Sequence, residues 1–179
     1  RRVAKAKNKA IEDITVVVLD RPRHENLIAE IRKVGARIRL ISDGDIAGAL
    51  MTCKPDAGID LLAGIGGSPE AVISACALKC VGGSMFCTLW PRNEEEAQKC
   101  RDLGMDLEKV LSMDDLVKSD NVFFAATGIT NGELLQGVRY EGDHIRTQSI
   151  VMRSASGTIR YIEAIHKLSK LEKISGINY

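Results

Sequence analysis

Short apolar runs alternate with amphipathic segments along the first part of the chain. Three such runs, ITVVVLD (14–20), ARIRLIS (36–42) and IDLLAGI (59–65), have the length and character of strands and end about 22 residues apart. Each precedes a segment with helical spacing: HENLIAEIRKVG, DIAGALMTC and PEAVISACALKCVGG. This repetition predicts parallel strands that are joined by right-handed helical crossovers.

The pattern continues with two more apolar runs and then changes. SMFCTLW (84–90) and NVFFAATGI (121–129) predict a fourth and a fifth strand, and NEEEAQKCRDLG between them predicts a polar helix capped by Asn93. Beyond residue 133 the chain alternates, with turn-forming EGD and SASG breaks, which predicts antiparallel strands added to the sheet or packed at its edge. The predicted fold class is therefore α/β: a mostly parallel sheet flanked by helices, with antiparallel strands near the C-terminus.

Residues 1–13 differ in character from the rest of the chain. This segment is basic and contains alanine, it has the character of a helix, and no N-cap residue precedes it; nor does the sequence begin with Met. We expect it to be the tail end of a truncated upstream helix, and residues 14–179 to form one α/β domain. The chain is then expected to be a fragment whose upstream portion is missing.

Composition and charge narrow the class of protein. The 179 residues are 45% hydrophobic and 27% charged, which suits one globular domain with a real core. The chain has 25 Lys and Arg and 24 Asp and Glu, so it carries almost no net charge. It therefore lacks the excess of positive charge that is typical of proteins that bind nucleic acid or an anionic membrane. No apolar stretch approaches the roughly 20 residues of a membrane span, and no signal peptide is visible.

The cysteines indicate a compartment. Five are present, an odd number, and most lie in apolar segments, which suits buried thiols in a reducing compartment and predicts a cytoplasmic protein. Cys76 and Cys80 lie four residues apart on a predicted helix, where core packing is favoured over a metal site.

Candidate chemistry is concentrated at strand ends. In a parallel α/β sheet, ligands bind outside the carboxyl ends of the strands. The first three strands run into DRPRH (20–24), SDGD (42–45) and GIGGSPE (64–70), and the fifth runs into ATGIT (126–130). We therefore expect the ligand to lie against these polar and glycine-rich segments.

The DRPRH segment is a candidate phosphate site. Arg21 and Arg23 flank Pro22, which stiffens the loop, and two guanidinium groups near a helix start can hold a phosphate bidentately. The alternative is that both arginines are surface charges and that Asp20 caps the helix. His24 is interpreted as a solvated residue of the first helical turn.

The SDGD segment offers two carboxylates. Asp43 and Asp45 straddle Gly44, so they can accept hydrogen bonds from the hydroxyls of a polyol or coordinate a hard divalent cation. Taken alone, the segment favours a tight turn with Asp45 as the N-cap of the next helix.

The GIGGSPE segment contains three glycines and one acidic residue, Glu70. Gly66 and Gly67 allow backbone N–H groups to face a ligand, Pro69 fits a first helical turn, and Glu70 is expected at the rim of the cleft. The alternative is an ordinary strand-to-helix turn in which the helix dipole favours the glutamate.

Taken together, these segments carry a resemblance. LDRPRH, ISDGDIA, GIGGSPE and FAATGIT, in this order and followed by RTQSIVMRS and IEAIH, closely resemble the C-terminal half of class II fructose-1,6-bisphosphatases. This bacterial form is also found as a dual fructose/sedoheptulose bisphosphatase, and the resemblance covers essentially the whole chain. It implies the lithium-sensitive, metal-dependent sugar-phosphatase fold, with an N-terminal α+β portion, a C-terminal α/β portion and the active site between them.

The resemblance also implies roles for individual residues. Arg21, Pro22 and Arg23 match the substrate-binding RPR, with the arginines on the non-reacting 6-phosphate; Asp43, Gly44 and Asp45 match the sugar-contacting DGD; Gly67 matches a substrate-contacting backbone position and Glu70 a divalent-metal ligand. Ser68 stands where the family often has alanine. The family's other metal ligands are acidic residues of its N-terminal half, so no further catalytic residue is assigned to this chain.

The implied function belongs to the full-length protein. It is metal-dependent hydrolysis of the 1-phosphate of fructose 1,6-bisphosphate to fructose 6-phosphate in gluconeogenesis, with Mn²⁺ or Mg²⁺, and the fragment alone is expected to be inactive. The alternatives are a sedoheptulose 1,7-bisphosphatase, a bifunctional enzyme, or a non-catalytic sugar-phosphate-binding domain. The expected partners are a small-molecule sugar bisphosphate and further copies of the chain in a homo-oligomer, with neither nucleic acid nor membrane.

Overall fold

A parallel sheet forms the first part of the fold. The computed structural model describes residues 1–175, and its first sheet has the order β2-β1-β3, with β1 at Thr15–Leu19, β2 at Arg37–Ile41 and β3 at Leu61–Leu62. Helices α2 (Glu25–Lys33), α3 (Asp45–Met51) and α4 (Ser68–Val81) follow these strands. The three predicted pairs of strand and helix are therefore confirmed, and β1 is the central strand.

The strand β1 is buried on both faces. Val16 and Val18 pack with Ile28 and other residues of one cluster, whereas Val17 packs with Met51 on the opposite side. This alternation explains why TVVVL is a continuous apolar run, since a strand covered on both faces needs no polar side.

The C-terminal strands form an antiparallel sheet. It contains β6 (Phe123–Thr127), β7 (Arg139–Glu141), β8 (His144–Arg153) and β9 (Thr158–Lys167), and β8 pairs antiparallel with each of the other three. The predicted α/β class, with antiparallel strands near the C-terminus, is thus confirmed.

The predicted fourth and fifth strands lie outside the parallel sheet. The run 84–90 contributes only β4 (Phe86–Cys87), which pairs antiparallel with β5 (Leu111–Ser112), and the run 121–129 contributes β6 of the C-terminal sheet. Phe86 and Phe123 are 71% and 65% exposed, so these runs are not covered on both faces as a strand inside a parallel sheet would be. Both predicted strands are therefore present in part, but each pairs antiparallel outside the sheet of β1, β2 and β3.

The remaining helices are short. In the segment 1–13, for which a helix was predicted, helix α1 covers Arg2–Lys7. Asn8 is its C-cap residue and has a left-handed φ of 51°. Residues Ile11–Asp13 form a separate 3-10 helix. Helix α5 (Glu94–Asp102) has the predicted cap, because the Asn93 side chain accepts a hydrogen bond from the Glu96 N–H. The other two are α6 (Met113–Leu116) and α7 (Leu168–Ser175). Within residues 1–175, no helix is long and apolar enough to cross a membrane.

Helix α4 joins the two halves of the structure. It packs against α3 on one side and against β6 and β8 on the other. Their shared core is the cluster of Leu50, Ala77, Cys80, Phe124, Leu135, Ile150 and Met152. The buried residues of α4 lie from Ser74 onward, so the core fixes the later turns of the helix, whereas its first turn lies at the surface.

The thiols fit this packing. All five cysteines are free; Cys80 is buried in the α4 cluster and the other four are half-buried. The predicted core role is confirmed for Cys80, whereas Cys76 lies nearer the surface.

Candidate functional site

The loop after β1 contacts the loops after both neighbouring strands. Arg21 donates from Nη2 to the Ser42 carbonyl oxygen at 2.5 Å, just beyond β2. Arg23 donates from Nε to the Ile65 carbonyl oxygen at 2.9 Å, just beyond β3. Since β1 lies between β2 and β3, its loop alone has a neighbouring loop of this sheet on each side. The structure therefore brings together the first three strand ends that the sequence singled out.

Arg23 is open to an anion, whereas Arg21 already donates from Nη1 to the Asp20 carbonyl oxygen and from Nη2 to that of Ser42. Pro22 opens the 3-10 helix Pro22–His24, for which its fixed φ is suited. Within the described chain, no hydrogen bond engages the Nη1 or Nη2 of Arg23, which is exposed. A guanidinium that is anchored through Nε and open at both Nη atoms can meet two oxygens of one phosphate. This short helix has no side-chain cap, so the alternative that Asp20 caps it is wrong.

The SDGD loop turns one carboxylate towards the third strand end. Gly44 has φ of 87° and ψ of 48°, a left-handed conformation that favours glycine. Helix α3 begins at Asp45 with Gly44 at the N-cap and without a side-chain cap, so the alternative that Asp45 is the N-cap is wrong. A Cβ added to Gly66 would lie 2.9 Å from Asp45 Oδ2, which shows how closely this carboxylate approaches the GIGG loop. Asp43 is exposed beside it.

The glycines of GIGGSPE leave room for carboxylates. Next to Gly66, a Cβ added to Gly67 would collide with Glu70 Oε2. Gly67 is the N-cap of α4, Pro69 lies in the first turn as predicted, and Glu70 is exposed in that same turn. Two acidic side chains thus lie against consecutive glycines at one edge of the sheet.

His24 departs from its predicted environment. The sequence suggested a solvated histidine, but the side chain is fully buried, at 0% exposure. Its Nδ1 lies 2.7 Å from the Leu19 carbonyl oxygen, and its Nε2 accepts a hydrogen bond from the Ile65 N–H at 2.8 Å. Sequence reasoning missed this position because its partner Ile65 lies 41 residues further along, and no local signal marks the contact.

The described residues supply part of a metal site at most. Within residues 1–175 no group of three or more His, Cys, Asp or Glu side chains could hold a metal ion. Glu70 carries an exposed carboxylate, the ligand type that Mg²⁺ and Mn²⁺ prefer, and fits as one ligand of such an ion. The metal-binding role of Glu70 stays a prediction.

A separate cavity lies at the other end of the parallel sheet. It has a volume of about 150 Å³, and Lys7, Lys9, Lys54 and Asp60 are among its lining residues. Asp60 immediately precedes β3 and accepts a hydrogen bond from the Thr15 N–H at the start of β1, so this cavity lies at the amino ends of the strands. It takes no part in the loop cluster at their carboxyl ends.

The Asp60 carboxylate is an ionic anchor at that end. Its Oδ1 accepts from Lys7 Nζ at 2.9 Å and from Lys9 Nζ at 2.8 Å. Burial alone would raise the pKa of Asp60, but the hydrogen bonds from Lys9, the Thr15 N–H and Lys7 outweigh it and lower that pKa to about 2. The carboxylate thereby ties the chain before β1 to the chain before β3.

Comparison with known proteins supports the motif pattern. A family model described as "Bacterial fructose-1,6-bisphosphatase, glpX-encoded" matches residues 1–166. The class 2 fructose-1,6-bisphosphatase of Haemophilus influenzae is 45% identical over an alignment 190 positions long, which covers 99% of this chain and 57% of the relative. Fructose-1,6-bisphosphatase 1 class 2 of Escherichia coli strain K12 is 40% identical over 183, covering 95% and 54%. The chain thus spans a little over half the length of these curated relatives. It belongs, as its strand-end motifs predicted, to the glpX-encoded bacterial fructose-1,6-bisphosphatase family.

Proposed function

We propose that the protein containing this chain hydrolyses the 1-phosphate of fructose 1,6-bisphosphate to fructose 6-phosphate, a step of gluconeogenesis. The observation that carries the proposal is the pair of arginine contacts, Arg21 to Ser42 and Arg23 to Ile65, which unite three loops at one sheet edge. Membership of the family supports the choice of substrate.

In this proposal the chain holds the part of the substrate that does not react. Arg21 and Arg23 bind the 6-phosphate, and Pro22 stiffens the loop between them. Asp43 and Asp45 accept hydrogen bonds from sugar hydroxyls; the turn at Gly44 and the backbone at Gly67 complete the contact, as in the family pattern. Binding energy from such remote groups can lower the barrier at the reacting phosphate, because it orients that phosphate before reaction.

The metal is proposed to be Mn²⁺ or Mg²⁺, with Glu70 as one ligand. The ion supplies the activation of water and the neutralisation of charge on the leaving oxygen. Since the described residues contain no group of three possible ligands, the other ligands are proposed to come from sequence outside this chain. The chain alone is then expected to bind sugar phosphate without turnover.

The first test is phosphate release. The protein as encoded, with any sequence beyond this chain, is assayed with Mn²⁺ and with Mg²⁺ on fructose 1,6-bisphosphate and on sedoheptulose 1,7-bisphosphate. Faster release from the fructose substrate supports the proposal, and comparable rates would indicate a bifunctional enzyme. Binding of fructose 6-phosphate without any turnover would indicate a sugar-phosphate-binding domain, and neither binding nor turnover would overturn the proposal.

Arg21 offers a sharper test. Loss of a charge-assisted contact to phosphate is worth about 1.5 to 3 kcal/mol, so Arg21→Ala is expected to lower kcat/KM by about 10- to 100-fold. Arg21→Lys should recover part of the loss, because it keeps the charge without the planar fork. Arg37→Ala is the matched control, since Arg37 lies at the opposite end of the sheet in an exposed pair with Asp13. Equal kinetics for Arg21→Ala and wild type would refute the assignment.

We also propose a cytoplasmic location and a homo-oligomer. Five free thiols suit a reducing compartment, which supports the cytoplasmic location.

The homo-oligomer is supported by the edge of the C-terminal sheet. Among the described strands, β9 pairs with β8 alone. Tyr161 and Ile165 on β9 are more than half exposed, so its outer edge can pair with the same edge of a second copy. Cell fractionation and light scattering at several protein concentrations test the two proposals, and a concentration-independent monomer would refute the second.

A further inference from the structure

We propose that His24 is a positioning residue that fixes the GIGG loop, and with it the start of α4, relative to the two arginines. The inference rests on the proposed function, in which these loops bind one sugar bisphosphate. His24 itself is fully buried, so it cannot touch the substrate, and any effect it has must act through the backbone that it holds.

The imidazole spans two strand ends. Its Nδ1 lies 2.7 Å from the carbonyl oxygen of Leu19, the last residue of β1, and its Nε2 lies 2.8 Å from the backbone nitrogen of Ile65, beyond β3. A carbonyl only accepts and an N–H only donates, so the partners assign the proton to Nδ1 and the lone pair to Nε2. His24 therefore uses both of its ring nitrogens in hydrogen bonds.

Consecutive residues of the RPRH segment hold both sides of Ile65. His24 accepts from the Ile65 N–H, and Arg23 donates to the Ile65 carbonyl oxygen. The N–H and the carbonyl of Ile65 belong to the peptide units on either side of this residue. Both of these peptide units are therefore fixed in orientation. The same arginine that is proposed to bind phosphate is thus tied to the loop that leads to Glu70.

The contact also explains Gly64. A Cβ at this position would lie 3.2 Å from Cε1 and 3.3 Å from Nε2 of His24, closer than side chains normally pack. The absence of a side chain lets the ring lie directly against the backbone of the loop. Gly64 therefore makes room for the His24 ring, whereas Gly66 and Gly67 lie against the carboxylates of Asp45 and Glu70.

Two variants separate the two bonds of the ring. In His24→Gln the amide oxygen can occupy the place of Nε2 and accept from the Ile65 N–H, while the bond to Leu19 is lost. In His24→Asn the amide nitrogen can occupy the place of Nδ1 and donate to Leu19, while the bond to Ile65 is lost. Each variant removes one buried hydrogen bond, so a purely structural role predicts similar effects on activity.

The positioning role predicts different effects. Measured on the protein as encoded, with fructose 1,6-bisphosphate and Mn²⁺, kcat of His24→Asn should fall about 10- to 100-fold, since displacement of a catalytic loop by about 1 Å can cost that much. KM should change less than about threefold, because Arg21 remains anchored to Ser42. His24→Gln should retain kcat within about threefold of wild type. Equal losses in the two variants, or no loss in either, would overturn the inference.

A second measurement keeps the test independent of turnover and of the proposed function. Hydrogen exchange at the Ile65 amide should be slow in wild type and His24→Gln and faster in His24→Asn, at a temperature where all three are folded by circular dichroism. If wild type shows this protection but neither binds nor hydrolyses the bisphosphate, the proposed function fails and the contact stands. If exchange at Ile65 is equal in all three proteins, the positioning role of His24 fails even when wild type is active.

Discussion

Neutralising Asp60 is expected to weaken the fold in a way that depends on pH. The carboxylate is 2% exposed, and it holds Lys7 and Lys9 through one oxygen and the Thr15 N–H through the other. These contacts join the segment before β1 to the segment before β3. Asp60→Asn keeps the size of the side chain and removes its charge, so it isolates the ionic part of the contact.

The size of the effect follows from the pKa of Asp60. It falls from an ordinary value of 3.8 to about 2 in the folded protein, and at 1.36 kcal/mol per pH unit the difference is worth about 2 kcal/mol. A carboxyl group whose folded pKa is lowered stabilises the fold above its unfolded pKa and loses that contribution as pH falls. The contribution is therefore complete above about pH 4 and is lost between about pH 4 and pH 2. Both lysines are about 40% exposed and can be resolvated, so the loss should not exceed this value greatly.

The assay is chemical unfolding of wild type and Asp60→Asn between pH 7 and pH 2. At pH 7 the variant should be less stable by about 2 kcal/mol, and a thermal melt at the same pH should show a Tm lower by roughly 4 to 8 °C. The gap in free energy of unfolding should close as pH falls below 4. Asp56→Asn is the control, since Asp56 is exposed and has no ion pair within the described residues, so its gap should stay near zero. A gap for Asp60→Asn that is constant from pH 7 to pH 2 would refute the ionic explanation.

Two further predictions concern the core and the loop. Met152 of β8 is fully buried against α4, so Met152→Ala should cost about 2 to 5 kcal/mol in urea unfolding. Ile159 lies directly opposite on β9 and is 43% exposed, so Ile159→Ala should cost less than half as much, and equal losses would contradict the burial of Met152. Glu70→Gln keeps the size of this exposed side chain and removes its charge, so Mn²⁺ affinity of the protein as encoded should fall about tenfold or more with a stability change of no more than about 1 kcal/mol; unchanged calorimetric affinity would remove Glu70 from the metal site.

Local patterns predicted the elements better than their partners. The βα pairs around β1, β2 and β3 are short-range features, and so is the cap at Asn93, because strand and helix periodicity and capping act within a few residues. Sheet membership depends on contacts between distant segments. The runs that form β4 and β6 are as apolar as those of the earlier strands, but Phe86 and Phe123 are exposed. The sequence of each run alone does not show which of its faces will be covered.

In the candidate site, too, the sequence predicted some features and not others. Proximity of the first three strand ends was predictable, because parallel neighbours end at one edge of a sheet. The directions of individual side chains were not: Asp45 lies towards Gly66 instead of capping its own helix, and His24 is buried instead of solvated. Both outcomes depend on glycines that lie some 20 to 40 residues later in the chain, so neither local segment contains the information.

The order β2-β1-β3 explains why one loop carries so many of these contacts. Only the loop after the central strand has neighbouring loops of the same sheet on both sides, and its residues use both: Arg21 reaches Ser42 beyond β2, while Arg23 and His24 reach Ile65 beyond β3. A loop after an edge strand could hold only one neighbour. If this loop binds the distal phosphate, its position sets the spacing of the sugar-binding acids on one side and of Glu70 on the other. Substitutions in 20–24 should therefore disturb both halves of the site together, whereas substitutions in 42–45 or 64–70 should disturb mainly one.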